Sequence, residues 1–342
     1  MTKFKIAKHV FTSIRPVFAS LVLLSVGTAA EAVTLSVNCG AKEGLTSIGA
    51  ALKILEEHRA DGPNIINVSG SCKEYVLIQN LDRLTLNAVS GASIIDTSGG
   101  TREVIDVAHS AGFTLNGFTV TATCPSTCLN GPGYDVISCY EGSDCLLIDN
   151  TLSGAGAGAG VGVYPLSKAI VQGGTLKNNY YGLFTNDGGE IFAWGVTVEN
   201  NVQGVFLNHG GNVVIRVGAD NVTPSVIANN TQQGIASNLG GAISVHAPVN
   251  IMNNGAEGIA LAFGSKLFVG GGIGGSAAIS ISGNAGSGVS VGDASIAQFG
   301  GDAHVTGNAA TNIACNSPTA LTVGAIAAAG GTAGVPYTNC AN

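Results

Sequence analysis

Three pairs of residues with chemical potential share one interval. Phe184 and Phe206, Asp187 and His209, and Trp194 and Arg216 are each 22 positions apart. An aspartate beside a histidine can act as an acid/base pair, and an arginine beside an indole makes a cation–π contact. Aromatic rings flanked by hydrogen-bonding groups suit a sugar, which meets them through its apolar C–H surface. Phe184, Phe206, Trp194 and Arg216 are therefore the candidate ligand-binding residues, and Asp187 and His209 the weak catalytic candidates. The plainer alternative is that a loop or a neighbouring segment simply covers the rings. No second carboxylate accompanies Asp187, which favours binding over turnover.

Equal spacing matters only if a repeating element converts it into proximity. Six steps of Asn, two or three residues and Gly run from Asn179 to Asn312, each followed by an alternating apolar segment. They begin at Asn179, Asn201, Asn230, Asn254, Asn284 and Asn308, and the Gly positions (Asn312 in the last step) lie 22, 30, 24, 30 and 24 residues apart. Such a period describes one supersecondary unit, and units of this kind stack to bury a shared face. Two further apolar segments follow in each unit, for example Glu190–Trp194 and Gly195–Val198. Three short strands per turn, each pairing with its counterpart one turn on, give an all-β, right-handed parallel β-helix of about ten coils. The asparagines are expected at bends, where Asn tolerates a left-handed backbone and stacked amides can bond along a ladder. A second row lies four residues after the Gly positions, at Asn186, Asn208, Asn238 and Asn316. Counting in the same register turns Phe184/Phe206, Asp187/His209 and Trp194/Arg216 into outward columns.

The amino terminus reads as a secretory signal: Lys3, Lys5, Lys8 and Arg15 precede the apolar run Val17–Val26, and Ala30-Glu31-Ala32 offers a cleavage site. The run is too short for a retained membrane span. The whole chain carries a formal charge of −7, and loss of residues 1–32 removes four positive charges and one negative, leaving −10. That balance argues against nucleic-acid partners and against anionic membranes. All eight cysteines follow the signal, in close sets: Cys39 with Cys72, Cys124 with Cys128, Cys139 with Cys145, Cys315 with Cys340. An even count behind a signal implies disulfides; zinc is the rival, but no CxxC pair of a ribbon is present.

One helix precedes the coils. Thr46 or Ser47 can cap it, Ile48, Ala51, Leu52 and Leu55 form an apolar stripe, and Gly62-Pro63 ends the segment. It is expected to cover the open end of the first coil. There follow an Ile-x-Val strand ending at Gly70, a Tyr75-x-x-Ile78 strand, a Leu84-Thr-Leu86 strand and an Ile94-Ile-Asp96 strand. In these features the chain resembles the pectin-lyase-like right-handed β-helices, from about Thr46 to Cys315. That family includes pectate lyases, polygalacturonases, pectin methylesterases and alginate epimerases, so the resemblance implies a fold and a polysaccharide-related setting, not one reaction.

The family's catalytic patterns are not complete here. Polygalacturonases use Asn-Thr-Asp, Asp-Asp, Gly-His-Gly and Arg-Ile-Lys; this chain offers Asn186-Asp187, Asn208-His209-Gly210 and Arg216-Val217-Gly218, with no Asp-Asp anywhere. The methylesterase pattern and the epimerase Asp-Pro-His-Asp are absent. A calcium-dependent lyase would need clustered carboxylates with a basic residue. Asp96, Glu103, Asp106 and Asp135, with Arg83 and Arg102, are the only set for it; calcium is thus the one cofactor to consider, and solvated turn carboxylates are the simpler explanation. The domain reading is signal peptide 1–32, strand and capping helix 33–63, β-helix 64–318, and a disulfide-closed tail 319–342. The functional expectation is a secreted or periplasmic protein that binds a polysaccharide or cell-envelope surface or plays a structural role, with no stable membrane insertion. A polysaccharide-active lyase or hydrolase is the alternative.

Overall fold

The computed structural model describes residues 32–57, 62–124, 133–271, 278–324 and 337–339. The signal segment, Cys128 and Cys340 lie outside the described residues. Among the described residues the strands form three sheets of 13, 10 and 10 strands. We call them sheet A (from Thr34–Asn38 onward), sheet B (Ser71–Lys73 to Ala303–Thr306) and sheet C (Val76–Gln79 to Ile313–Cys315). The chain visits A, B and C in turn, so the strands of the coils pair in parallel with their counterparts one coil away. Ten such coils make a right-handed parallel β-helix. Among the described residues the one antiparallel pair is Leu321–Gly324 with Tyr337–Asn339, at the last rung of sheet A.

Alternation decides which side chains fill the coil. In Glu190–Trp194, Ile191 and Ala193 are buried while Phe192 and Trp194 point outward, half-exposed. Repeated over the coils, this produces one continuous core, mainly of Val, Ile and Leu, to which Ile66, Leu86, Leu147, Val213, Ile243 and Ile281 belong. Helix α1 (Ile48–Glu57) covers the first coil through Ile48, Ala51, Leu52 and Leu55, as the stripe predicts. Its first turn is held by the Ser47 hydroxyl, which accepts from Ala50 N at 3.1 Å, and by the Glu74 carboxylate, which accepts from Ile48 N and Gly49 N at 2.8 and 2.9 Å.

The asparagine ladder occupies the corner between sheets B and C, inside the coil. Asn179, Asn201, Asn230, Asn254 and Asn284 are at most 3% exposed. Asn230 shows the pattern: its Oδ1 accepts from the Asn201 backbone and Asn201 Nδ2 at 3.0 and 3.1 Å, and its Nδ2 donates to Asn254 Oδ1 at 2.9 Å. The left-handed bend lies one residue earlier than expected, at Asn178, Asn200, Asn229 and Asn253, with φ of 55–57°. The ladder residues thus serve as buried amides, not as the bend. The glycine after each rung makes room for the amide: a Cβ on Gly234 would stand 2.7 Å from both Asn254 Nδ2 and Gly258 O.

The disulfide expectation holds where both partners are described. Cys39 bonds Cys72, and Cys139 bonds Cys145. Cys124 and Cys315 are also disulfide-bonded. The first bridge ties the segment before helix α1 to the first sheet B strand. Replacing Asn230 by Ala leaves the buried Asn201 N–H without an acceptor. The variant should lose about 2–3 kcal/mol of stability and melt about 5 °C or more below wild type. An unchanged melting point would show that the ladder is not what holds the corner.

Candidate functional site

Strict register sorts the outer face of sheet C into columns that run along the axis. The central column is Asp106, Ser138, Gly162, Phe184, Phe206 and Ala236, from six consecutive coils. Beside it, Tyr181 follows Ala159 and precedes Gln203. The expected stacking of Phe184 on Phe206 is present, with ring centroids 5.9 Å apart and planes 19° from parallel. Tyr181 completes the cluster, 5.2 Å from Phe184 and 5.1 Å from Phe206, and Tyr164 meets Phe184 edge-on at 5.9 Å. These rings are half-buried and form a rigid apolar ridge.

Toward the amino terminus the ridge gives way to an open groove of about 500 Å³. Ser138 lies on its floor; Glu103, Asp106, Tyr140 and Tyr164 line it, with Pro165 and Leu166 at the lip. Gly162 keeps the floor low, since a Cβ there would run into the Asp135 carboxylate. Leu166 is 89% exposed and has a left-handed backbone with φ of 64°, an unusual position for a large apolar residue.

The acids around this groove are not solvated turn residues. Asp106 and Asp135 are buried, at 8% and 3% exposure. Asp106 accepts a 2.8 Å bond from the Tyr75 hydroxyl, and Arg102 lies over the Tyr75 ring at 4.6 Å. Asp135 accepts from Ala159 N at 2.7 Å and from the Tyr164 hydroxyl at 2.8 Å. Burial pushes its carboxyl up to about 7, against the pull of those two bonds, and the charges of Glu103 and Asp106 add to the rise. Burial likewise raises Glu103 and Asp106. Asp96 does not join them. Its carboxylate clamps the corner between sheets B and C by accepting from Ser98 N, Gly100 N and Thr123 N. Arg83 sits in the turn that enters Leu84–Ala88, away from the groove lining. The carboxylates do not converge on one point. Among the described residues, the one set of three ligand atoms within 4.8 Å of each other is Cys39, Cys72 and Glu74, whose sulfurs form a disulfide.

The other sequence candidates stand apart from the groove. Asp187 and His209 occupy successive exposed turns between sheets C and A, both left-handed, with His209 Nδ1 3.8 Å from Asp187 Oδ1. The same ring nitrogen lies 2.8 Å from Asn208 Nδ2 and 3.2 Å from Asn186 Oδ1, so the second asparagine row holds the imidazole. Trp194 and Arg216 pair as the last residues of two adjacent strands in the middle of sheet A, with the guanidinium 3.9 Å from the ring centroid. One indole face is therefore covered by Arg216, and Trp194 Nε1 is buried with no hydrogen-bond partner. Register does bring each of the three pairs together, but they occupy three different places on the coil.

No family model matches the chain, and no curated protein matches it in sequence. Among solved structures it is similar to the A-module of the mannuronan C-5 epimerase AlgE6 of Azotobacter vinelandii. The identity is 12%, 80% of this chain and 93% of that chain are covered, and the TM-score is 0.47. The A-module of AlgE4 from the same organism gives 9% identity, 82% and 88% coverage and a TM-score of 0.38.

Asp135 makes stability depend on pH with a definite sign. Its folded carboxyl titrates near 7, above the ordinary value of 3.8, so between these two values the native state holds a proton that the unfolded chain has released. Unfolding free energy should thus fall as pH rises from about 4 to about 7, by on the order of 4 kcal/mol from this group. Asp135→Asn should flatten that dependence and be the more stable protein at pH 8. Parallel pH profiles for both proteins would disprove the assignment.

Proposed function

We propose that the chain is a secreted or periplasmic glycan-binding β-helix whose ligand lies along the outer face of sheet C. The observation that carries this reading is the continuity of one face: the Tyr181–Phe184–Phe206 ridge adjoins an open groove lined by tyrosines and carboxylates. Sugars present alternating apolar C–H faces and hydroxyls, and the face supplies rings and hydrogen-bonding groups in the same succession. Adjacent rungs are about 4.8 Å apart, so a polymer along the axis would meet several coils at once. Exposed Leu166 at the lip adds apolar surface that gains from being covered. The disulfides and the signal-like sequence at residues 1–32 support the extracytoplasmic setting.

A polysaccharide-active enzyme is the second reading, and one observation favours it: a carboxyl titrating near neutrality is the kind of group that general acid/base catalysis uses. Both Asp135 oxygens are engaged inside the wall, however, and Asp135 is not among the residues that line the groove. Binding needs no such proton path.

Affinity electrophoresis and calorimetry against a panel of neutral, amino and uronic-acid polysaccharides test the proposal. A Tyr181→Ala, Phe206→Ala double variant should weaken binding about tenfold or more. A Trp194→Ala, His209→Ala double variant should bind like wild type. Loss of binding only in the second variant would move the site to the sequence-derived columns. Chain cleavage or a new unsaturated end in the ligand would establish the enzyme reading.

A further inference from the structure

The groove is lined by carboxylates and by no basic side chain. Glu103 and Asp106 line it, Asp135 lies just beneath, and Glu141 stands at its rim. Two basic side chains stand nearby: Arg102 lies over Tyr75 and its charge acts on Asp106, and His109 Nδ1 is 3.1 Å from Glu141 Oε2. Neither of these side chains lines the groove. Among the described residues the Ser138 hydroxyl has no hydrogen-bond partner, although the residue is only 4% exposed and lies on the groove floor. The Glu103 carboxylate has no partner besides its own backbone N–H. The Ser138 hydroxyl, on an otherwise buried residue, and the half-buried Glu103 carboxylate both open toward this one space and offer it unpaired acceptors.

The spacing of the acids describes that donor. Their oxygens do not gather around a single point, as a metal ion would require. They are distributed over neighbouring rungs: Asp106 opposite Ser138, and Glu103 on the rung before Asp135. A sugar carboxylate placed here would meet like charges in a poorly solvated setting, whereas an ammonium group would satisfy the open acceptors with charge-assisted bonds.

We infer that this groove selects glycans bearing primary ammonium groups, as in a glucosamine polymer, over neutral and uronate chains. The inference rests on the glycan-binding reading of sheet C and names the ligand class. Tyrosines and Leu166 receive the sugar rings, while Glu103, Asp106 and Ser138 receive the amine.

Calorimetry on the whole protein tests it with hexamers of glucosamine, N-acetylglucosamine and galacturonate, and separately with hexalysine and calcium chloride. Glucosamine hexamer should bind about tenfold more tightly than its N-acetylated counterpart. Glu103→Gln, checked for an unchanged melting point, should remove most of that preference, and Ser138→Ala should reduce it. Equal affinity for the amino and N-acetylated hexamers, or tighter binding of galacturonate, overturns the inference. So does hexalysine binding as well as the sugar, or calcium binding that Glu103→Gln abolishes. If N-acetylglucosamine hexamer binds and the Tyr181→Ala, Phe206→Ala variant loses it, the glycan-binding reading stands even where the amine preference fails. If no glycan binds, both fall.

Discussion

The buried amide row at the corner between sheets B and C is the constraint on which the rest of the structure depends. A coil that turns sharply must bring backbone N–H and C=O groups inside, where each unpaired group is costly. The ladder answers this with one side chain per coil. Each amide accepts from the backbone of the preceding rung and donates to a carbonyl of an earlier strand, as Asn201 does to Leu176 O at 3.1 Å and Asn254 to Ile227 O at 3.3 Å. Because every rung bonds the next, a slip by one residue would break the whole row. The adjacent glycines reinforce this, since no larger residue fits between Asn254 Nδ2 and Gly258 O. Register on the outer faces is therefore inherited from an interior requirement.

That inheritance explains how a surface site can be assembled from distant sequence. Asp106, Ser138, Gly162, Phe184 and Phe206 span a hundred positions yet sit on consecutive rungs. The groove lies where the asparagine row has ended. On those coils the same corner is held differently: Ala155 N donates to Asn179 Oδ1 at 3.0 Å as the last rung, and further back the Asp96 carboxylate gathers three backbone N–H groups. These early coils lack the Asn–Gly pattern and carry the Cys139–Cys145 disulfide.

This difference also sets what could be read from sequence. From Asn179 onward the period is visible because the ladder imposes it, and the strands, the coil number and the pairings Phe184/Phe206, Asp187/His209 and Trp194/Arg216 all follow from counting. Tyr181 was countable too, three residues before Phe184, but its ring packing depends on rotamers that spacing does not express. The acidic groove was not legible. The step from Asp106 to Ser138 is 32 residues and the next is 24, with no repeated Asn–Gly signal to align them. Without alignment, Asp106 and Asp135 look like ordinary turn carboxylates, whereas in the fold both are buried and bonded to tyrosines. The bend at Asn178 rather than Asn179 was missed for a related reason: two adjacent asparagines look alike in sequence, and only the burial of one separates them.

The pairings also show why proximity alone is weak evidence of a site. Trp194 and Arg216 meet as the spacing requires, but a guanidinium 3.9 Å above an indole occupies the surface that a sugar would need. Asp187 and His209 meet as well, yet each is a left-handed turn residue, and the imidazole is already bonded by two asparagines of the second row. In both cases a neighbour in the column already occupies the face or ring nitrogen that a ligand would use, although Trp194 Nε1 itself stays unpaired. The sheet C groove has the opposite character, because Ser138, Glu103 and Leu166 present groups that no neighbour completes. In a solenoid, where stacking tends to pair every side chain with its equivalent one rung away, an unmet requirement on the surface is a better guide to a ligand than a satisfied contact.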